Sequence, residues 1–180
     1  MKKLNFGCGR NILKGYINID YVKGNGVDLV HNLNKTPYPF KDNTFDEIYA
    51  SHILEHLDGD WFKIIKDLHR ILKKDGILIV KVPHFSNAAA FIENHKRFFR
   101  YRSFESYEEQ KIMTALDQKE GYKFKMIQRE INFIKFPLIY NYPIELFVNS
   151  SKSAALVYEN TFLRALFPAN EIIFKLKKVD

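Results

Sequence analysis

The chain has 180 residues, with 28 basic and 21 acidic side chains, a formal net charge of +7, and 46% hydrophobic and 15% aromatic residues. That length fits one compact domain, which buries roughly 70% of the surface its unfolded chain exposes and needs neither disulfide nor structural metal, and the composition excludes a disordered or collagen-like chain. The lone cysteine, Cys8, allows no internal bridge and fits a reducing compartment, which leaves the surplus positive charge to be explained by an anionic partner or by solubility.

Lys3 to Phe6 and Tyr16 to Ile19 read as short strands on either side of GCGRNILKG, and Val27 to Val30 as a third. Phe45 to Ala50 reads as a fourth strand, entered through the turn signals Pro37, Pro39 and Asp42-Asn43. From Asp60 to Lys74, Trp61, Ile64, Ile65, Leu68, Ile71 and Leu72 fall on one helical stripe, with Asp58 or Asp60 as N-cap and Gly76 just past the end. ILIVKV, Ile77 to Val82, has the near-continuous apolar run of a parallel strand buried on both faces. Ser103 caps a predicted helix through Leu116, with Ser106 and Glu109 at capping-box spacing. Tyr122 to Ile134 is rich in strand formers, Ser153 to Phe167 reads as a helix stopped by Pro168, and Glu171 to Lys178 alternates as a half-buried final strand. Strands separated by helices and short connections indicate an open α/β sheet.

The N-terminus has no apolar run followed by a small-residue cleavage site. The most apolar stretch, Ile131 to Val148, is interrupted by Lys135, Pro137, Pro143 and Glu145. Neither a secretory signal nor a membrane span is expected, and the expected location is cytoplasmic.

Gly7 and Gly9 close the first strand, and Asp20 ends the second. Glycines there let backbone approach a ligand, and an acid at the next strand end accepts hydrogen bonds from ribose hydroxyls. A dinucleotide fingerprint needs a third glycine near position 12, where this chain has Ile12, and an acid roughly 20 residues on. The pattern therefore points to a nucleoside other than NAD.

Taken in order, LNFGCGR, GYINID, VDLVHNLN, PYPFKDNTFDEIYASHILEHL and RILKKDGILIVKVPH resemble the class I S-adenosylmethionine-dependent methyltransferases, most closely the small bacterial and archaeal kind with GCG and H-x-L-E-H-L motifs. The resemblance covers Leu4 to His84. It implies a Rossmann-like α/β fold: an open, mostly parallel seven-stranded sheet with helices on both faces and the last strand antiparallel. Residues 1–180 would form a single domain, with 1–84 binding the cofactor and 85–180 facing the acceptor. Residues 85–116 and an insertion at 135–170 would make a helical, aromatic-rich substrate cover.

The implied cofactor is S-adenosyl-L-methionine, held by Phe6, Gly7, Cys8 and Gly9 at its methionyl part, Asp20 at the ribose, Asn32 and Leu33 at adenine, and Ser51 and His52 near the sulfonium. Asn5 stands where many members carry an acid. Gly9 to Gly15 leaves room for about one helical turn or none between the first two strands. Asp46 reads as a structural turn residue, Asp28 as either part of the cofactor shell or a strand-end solvating group, and His31 and His69 as bystanders.

Methyl transfer is an in-line displacement, and a hydroxyl or amine acceptor is helped by a base. His84 follows the fifth strand at the edge where open α/β sheets place their sites, so it is the first candidate for base or acceptor contact, His52 the second and His95 the third. His52, Glu55 and His56 have metal-ligand spacing that His95 completes, but chains with H-x-L-E-H-L generally need no metal. None is expected, with Glu55 and His56 serving as cap and core residues. His95, Lys96, Arg97 and Arg100, together with Arg102 and interleaved with Phe98, Phe99 and Tyr101, suit an anionic acceptor. The expected activity is methyl transfer to an O or N atom of a small-molecule or glycan-like acceptor. The alternatives are an RNA or protein methyltransferase, with nucleic acid the lesser partner, and a non-catalytic S-adenosylmethionine-binding module.

Overall fold

The computed structural model describes residues 1–107 and 123–179. β1 (Lys3–Phe6) buries Leu4, Asn5 and Phe6 in succession, the pattern of a strand covered on both faces. It runs parallel to β2 (Ile17–Asp20) on one side and β4 (Phe45–Ser51) on the other, with β3 (Leu29–Val30) beyond β2. β5 (Leu72–Pro83) continues the parallel sheet beside β4. β6 (Lys123–Asn132) and β7 (Glu171–Val179) complete it, and β7 is antiparallel to both β5 and β6. The strand order is β3-β2-β1-β4-β5-β7-β6, the seven-stranded, mostly parallel architecture with an antiparallel final strand.

The connection from β1 to β2 has no helix. It is held instead by two buried amides. Asn5 donates to Asn18 Oδ1 at 2.8 Å and to the Asn11 carbonyl at 2.7 Å, and Asn18 Oδ1 also accepts from Leu13 N at 2.9 Å. Asp28 Oδ2 accepts from Asn18 N at 2.7 Å, which ties Asp28 to the β2 edge. These bonds satisfy backbone groups that a crossover helix would have paired within itself.

α1 (Trp61–Ile71) starts at Asp60, whose carboxylate accepts from Phe62 N and Lys63 N. Its apolar stripe, Ile64, Ile65, Leu68 and Ile71, is fully buried. The helix stops three residues before the expected Lys74. Asn43 N and Thr44 N take the Arg70 and Ile71 carbonyls at 2.9 and 2.8 Å, and Leu72 turns extended to pair with Phe45. The turn expected at Gly76 lies inside β5, where Asp75 has φ 62°. His69 is not a free surface group: its ring packs edge-on against Phe124 and lies 3.1 Å from the Lys123 carbonyl.

Beyond β5 the expected helix from Ser103 is, as far as Tyr107, a single 3-10 turn, Glu105–Tyr107. Residues 108–116, with the Glu109 half of the capping box, lie outside the described residues. The insertion is helical as expected, in three pieces: α2 (Asn141–Val148), α3 (Lys152–Asn160) and α4 (Leu163–Leu166). The single helix read over Ser153 to Phe167 is broken at Thr161, which is extended and whose hydroxyl accepts from Leu163 N to start α4. Because this insertion leaves the end of β6 and returns at the start of β7, it sits at the C-terminal edge of the parallel strands. No helix among the described residues is long and apolar enough to cross a membrane.

Glu105 ties this side together. Its carboxylate meets Arg102 at 2.5 Å, Lys152 of α3 at 2.8 Å and Arg129 of β6 at 3.3 Å. Burial alone would raise its pKa, but the bonds from Lys152 and Arg102 outweigh that and bring it from 4.5 to about 2. A carboxyl with a depressed folded-state pKa stabilises the fold fully above its unfolded value, and that contribution fades as pH falls toward the folded one. Wild type should therefore exceed Glu105→Gln in stability by a constant margin above about pH 5, and the margin should shrink through pH 2 and vanish by about pH 1. Denaturant melts of the two proteins across that range check this.

Candidate cofactor and acceptor site

At the C-terminal end of β1 the chain turns through Gly7 (φ +72°) and Gly9 (φ +51°). Gly7 N and Cys8 N both donate to the Ile19 carbonyl, at 2.9 and 3.0 Å, so the turn is clamped onto β2. A Cβ on Gly7 would lie 2.2 Å from Ile53 Cγ1, so this glycine makes room for Ile53. A Cβ on Gly9 would meet nothing within 4 Å, so the space over Gly9 is open. Asp20 accepts from Gly9 N at 2.7 Å through one oxygen and from Val22 N at 3.1 Å through the other. Each carboxylate oxygen keeps a second lone pair for a further donor.

A cavity of about 670 Å³ opens beside this turn, lined by Tyr21, Asn32, Leu33, Asn34, Ile53, His56, Leu57, Asn94 and Lys96. Asn32 and Leu33 are where the sequence puts the base. Asn32 Oδ1 accepts from Asn34 N at 3.0 Å and keeps a second lone pair, and its NH2 offers donors besides. Two expected contacts need correction. Phe6 is fully buried with its ring edge-on against Tyr38, and Cys8 is 3% exposed with its thiol pushed up by burial and by Asp20. Both support the turn from beneath. Ser51 pairs with Lys81 at the end of β4 and is not among the residues lining this cavity.

His52 follows with φ 52°. Its ring lies between Glu171 and Glu55, 3.3 Å from each. The Glu171 bond first, then Glu55, raises its pKa to about 9 against the opposing effect of burial. The imidazole is therefore cationic near neutrality and not a base. Glu171 is the site residue the sequence reading missed. It also meets Lys81 at 3.2 Å and Asn132 at 3.4 Å, and the His52 bond, offset in part by burial, leads in lowering it to about 2. The available signal was an acid opening an antiparallel last strand, which brings it to the same edge as residues 51 and 52.

His84 departs most from expectation. It is fully buried. Ser86 N donates to Nδ1 at 3.2 Å, which leaves Nε2 to donate to Glu159 at 3.0 Å, and the Glu159 oxygen also accepts from Tyr101 N. His84 thus joins the end of β5 to α3 and to the 98–101 segment, and in this arrangement it touches no acceptor space.

The basic strip is also divided. Arg97 donates to the Gly59 carbonyl at 2.7 Å and lies over the Trp61 ring at 5.2 Å, and burial lowers its pKa. Arg102 pairs with Glu105, Phe99 is buried, and Tyr101 lies beneath Arg129. Lys96 lines the large cavity. Arg100 lines a second one of about 300 Å³ with Phe85, Phe98, Ser103, Glu159, Asn160 and Arg164. His95 sits edge-on against His56 at 4.5 Å between ring centres.

Residues 4–80 match the family described as a methyltransferase domain. The chain is 48% identical over 44 residues to an uncharacterised protein of Methanocaldococcus jannaschii, covering 24% of this chain and 19% of that protein. It is 31% identical over 93 residues to a mitochondrial arginine-hydroxylase of Homo sapiens, covering 42% of this chain and 27% of that one. It thus spans between a fifth and about a quarter of the length of these relatives. A crystal structure of an S-adenosylmethionine-dependent methyltransferase from Archaeoglobus fulgidus superimposes with a TM-score of 0.62 over 98% of this chain and 86% of that one, at 14% identity. The fold is that of the class I S-adenosylmethionine-dependent methyltransferases. The sequence match to the methyltransferase-domain family is carried by residues 4–80, which hold the Gly7 to Gly9 turn and Asp20.

The divided strip makes a direct prediction. Arg97→Gln should lower stability by about 1–2 kcal/mol through loss of the stacked, hydrogen-bonded guanidinium. Arg100→Gln should leave the denaturation midpoint unchanged, and paired urea melts distinguish them.

Proposed function

We propose that the protein is an S-adenosylmethionine-dependent methyltransferase that holds its cofactor in the 670 Å³ cavity. The observation that carries this reading is that Asn32 and Leu33 line the cavity together with Tyr21, the residue after Asp20, and Ile53, which packs against Gly7, at the C-terminal edge of β1 and β2, where open α/β sheets take their ligands. Asp20 would accept from the ribose hydroxyls, Asn32 would donate to the base, Leu33 would cover its face, and the Gly7 to Gly9 turn would meet the methionyl end. When bound, the cofactor supplies an electrophilic methyl group. The protein's part is to hold the acceptor atom about 3 Å from it, in line, and to exclude water.

The acceptor is read as a small or glycan-like molecule carrying an anionic group, methylated on O or N. Lys96 at the large cavity, and Arg100 with Arg164 at the smaller one, support it. In this reading residues 1–84 serve the cofactor and 85–180 the acceptor, with the insertion 135–170 as cover. An RNA or protein acceptor is less favoured, because Arg97 and Arg102 are engaged within the protein and the strip offers no continuous basic, aromatic track.

Calorimetry with S-adenosylhomocysteine tests the shared premise. Wild type should bind one molecule, and Asp20→Ala should weaken binding by about tenfold or more, the loss of hydrogen bonds to a charged acceptor. No heat of binding with the wild type would remove both the enzyme reading and the reading as a non-catalytic binding module. Binding without methyl transfer to any acceptor would select the module.

A further inference from the structure

Glu55, His56 and His95 each bring one potential ligand atom to within 4.8 Å of the other two. The Glu55 side chain is 1% exposed and neither carboxylate oxygen has a hydrogen-bond partner. His52 Nδ1 lies 3.3 Å from Oε1 but is not aligned as a hydrogen bond. The His52 cation lies beside one of these oxygens, but a buried carboxylate whose two oxygens receive no hydrogen bond still lacks the donors that water supplied. Two imidazoles face it across the cluster. His95 Nδ1 donates to the Ala90 carbonyl at 3.2 Å. That leaves the Nε2 lone pair for a ligand and fixes the ring, as a backbone carbonyl does behind a metal-bound histidine.

The backbone assembles the cluster without help from any ion. Lys96 N and Arg97 N donate to the Glu55 carbonyl at 2.7 and 3.3 Å, which docks the loop carrying His95 onto the turn carrying Glu55 and His56. His56 also lines the 670 Å³ cavity, so the cluster lies on its wall.

We infer that Glu55, His56 and His95 form a binding site for a divalent first-row transition metal ion. Two neutral imidazoles and one carboxylate make a donor set of intermediate softness that suits zinc and its neighbours, whereas calcium and magnesium prefer all-oxygen shells. Bonds near 2.1 Å place tetrahedral ligands about 3.4 Å apart, so the side chains need to draw together by little more than an ångström. The ion's remaining positions face the cavity, where water or an oxygen of the acceptor completes the shell. This last point alone rests on reading the cavity as the reaction site. His52, whose ring lies between Glu171 and Glu55, is outside the ligand set.

Titrating the full chain, stripped with chelator, with ZnCl2 in a calorimeter should give one ion per chain. Loss of a ligand should weaken it by about a hundredfold or more, exceeding the effect of second-shell changes. Glu55→Gln and His95→Ala should both do this, and His31→Ala, a histidine on another loop, should not. Co2+ added to the wild type should give the visible absorption of a nitrogen- and oxygen-ligated site, a readout that needs no variant to fold. Absence of both Zn2+ uptake and the Co2+ band in the wild type overturns the site, as does unchanged affinity in His95→Ala. S-adenosylhomocysteine binding is measured separately on the stripped protein. Zinc binding without cofactor binding would refute the reading of the cavity while leaving the metal site standing.

Discussion

Two buried amides, Asn5 and Asn18, set the geometry on which the site depends. Adjacent parallel strands are ordinarily joined by a crossover of a dozen or more residues, usually with a helix that packs back on the sheet. Here the chain passes from Phe6 to Ile17 without one, and its backbone polar groups are met by the Asn5–Asn18 bond, by Leu13 N on Asn18, and by Gly7 N and Cys8 N on the Ile19 carbonyl. The turn is drawn flat against β2, so that Asp20 reaches Gly9 N and the cavity opens beside Tyr21 and Asn32. An acid in place of Asn5 would bring no amide donor to Asn18, so the asparagine is tied to the helix-less connection.

Local patterning made most of the fold legible. β1 and β7 begin where periodicity and turn residues put them, α1 is capped by one of the two expected aspartates, and the short segment from Gly9 to Gly15 left room for one helical turn at most. The errors lie where a distant partner decides. α1 ends early because Asn43 and Thr44 take its last carbonyls, and the long helix of the insertion breaks at Thr161. Among site residues, Asn32 and Leu33 line the cavity, the two positions that the family resemblance set at the base. His84 read as a base or acceptor contact at the sheet edge because nothing in VPH reveals Glu159, 75 residues away. Glu171 stayed hidden for the same reason, since only the antiparallel return of β7 brings it to His52.

The net charge of +7 acquires a different meaning in three dimensions. Of the four cations between Lys96 and Arg102, two are spent inside the protein, Arg97 on Trp61 and Gly59 and Arg102 on Glu105. Lys96 and Arg100 line separate cavities. The 95–102 segment thus acts chiefly as a wall. Its backbone is bound to Glu55 and its rings pack on α1, and it carries His95 to the edge of the cofactor-side cavity.

The account stands or falls on where a nucleoside binds. A crystal structure of the protein with S-adenosylhomocysteine should place the adenine beside Asn32 and Leu33 and the ribose hydroxyls on Asp20, with the amino acid end along the Gly7 to Gly9 turn. Density for the nucleoside anywhere else, with this cavity filled only by solvent, would contradict it.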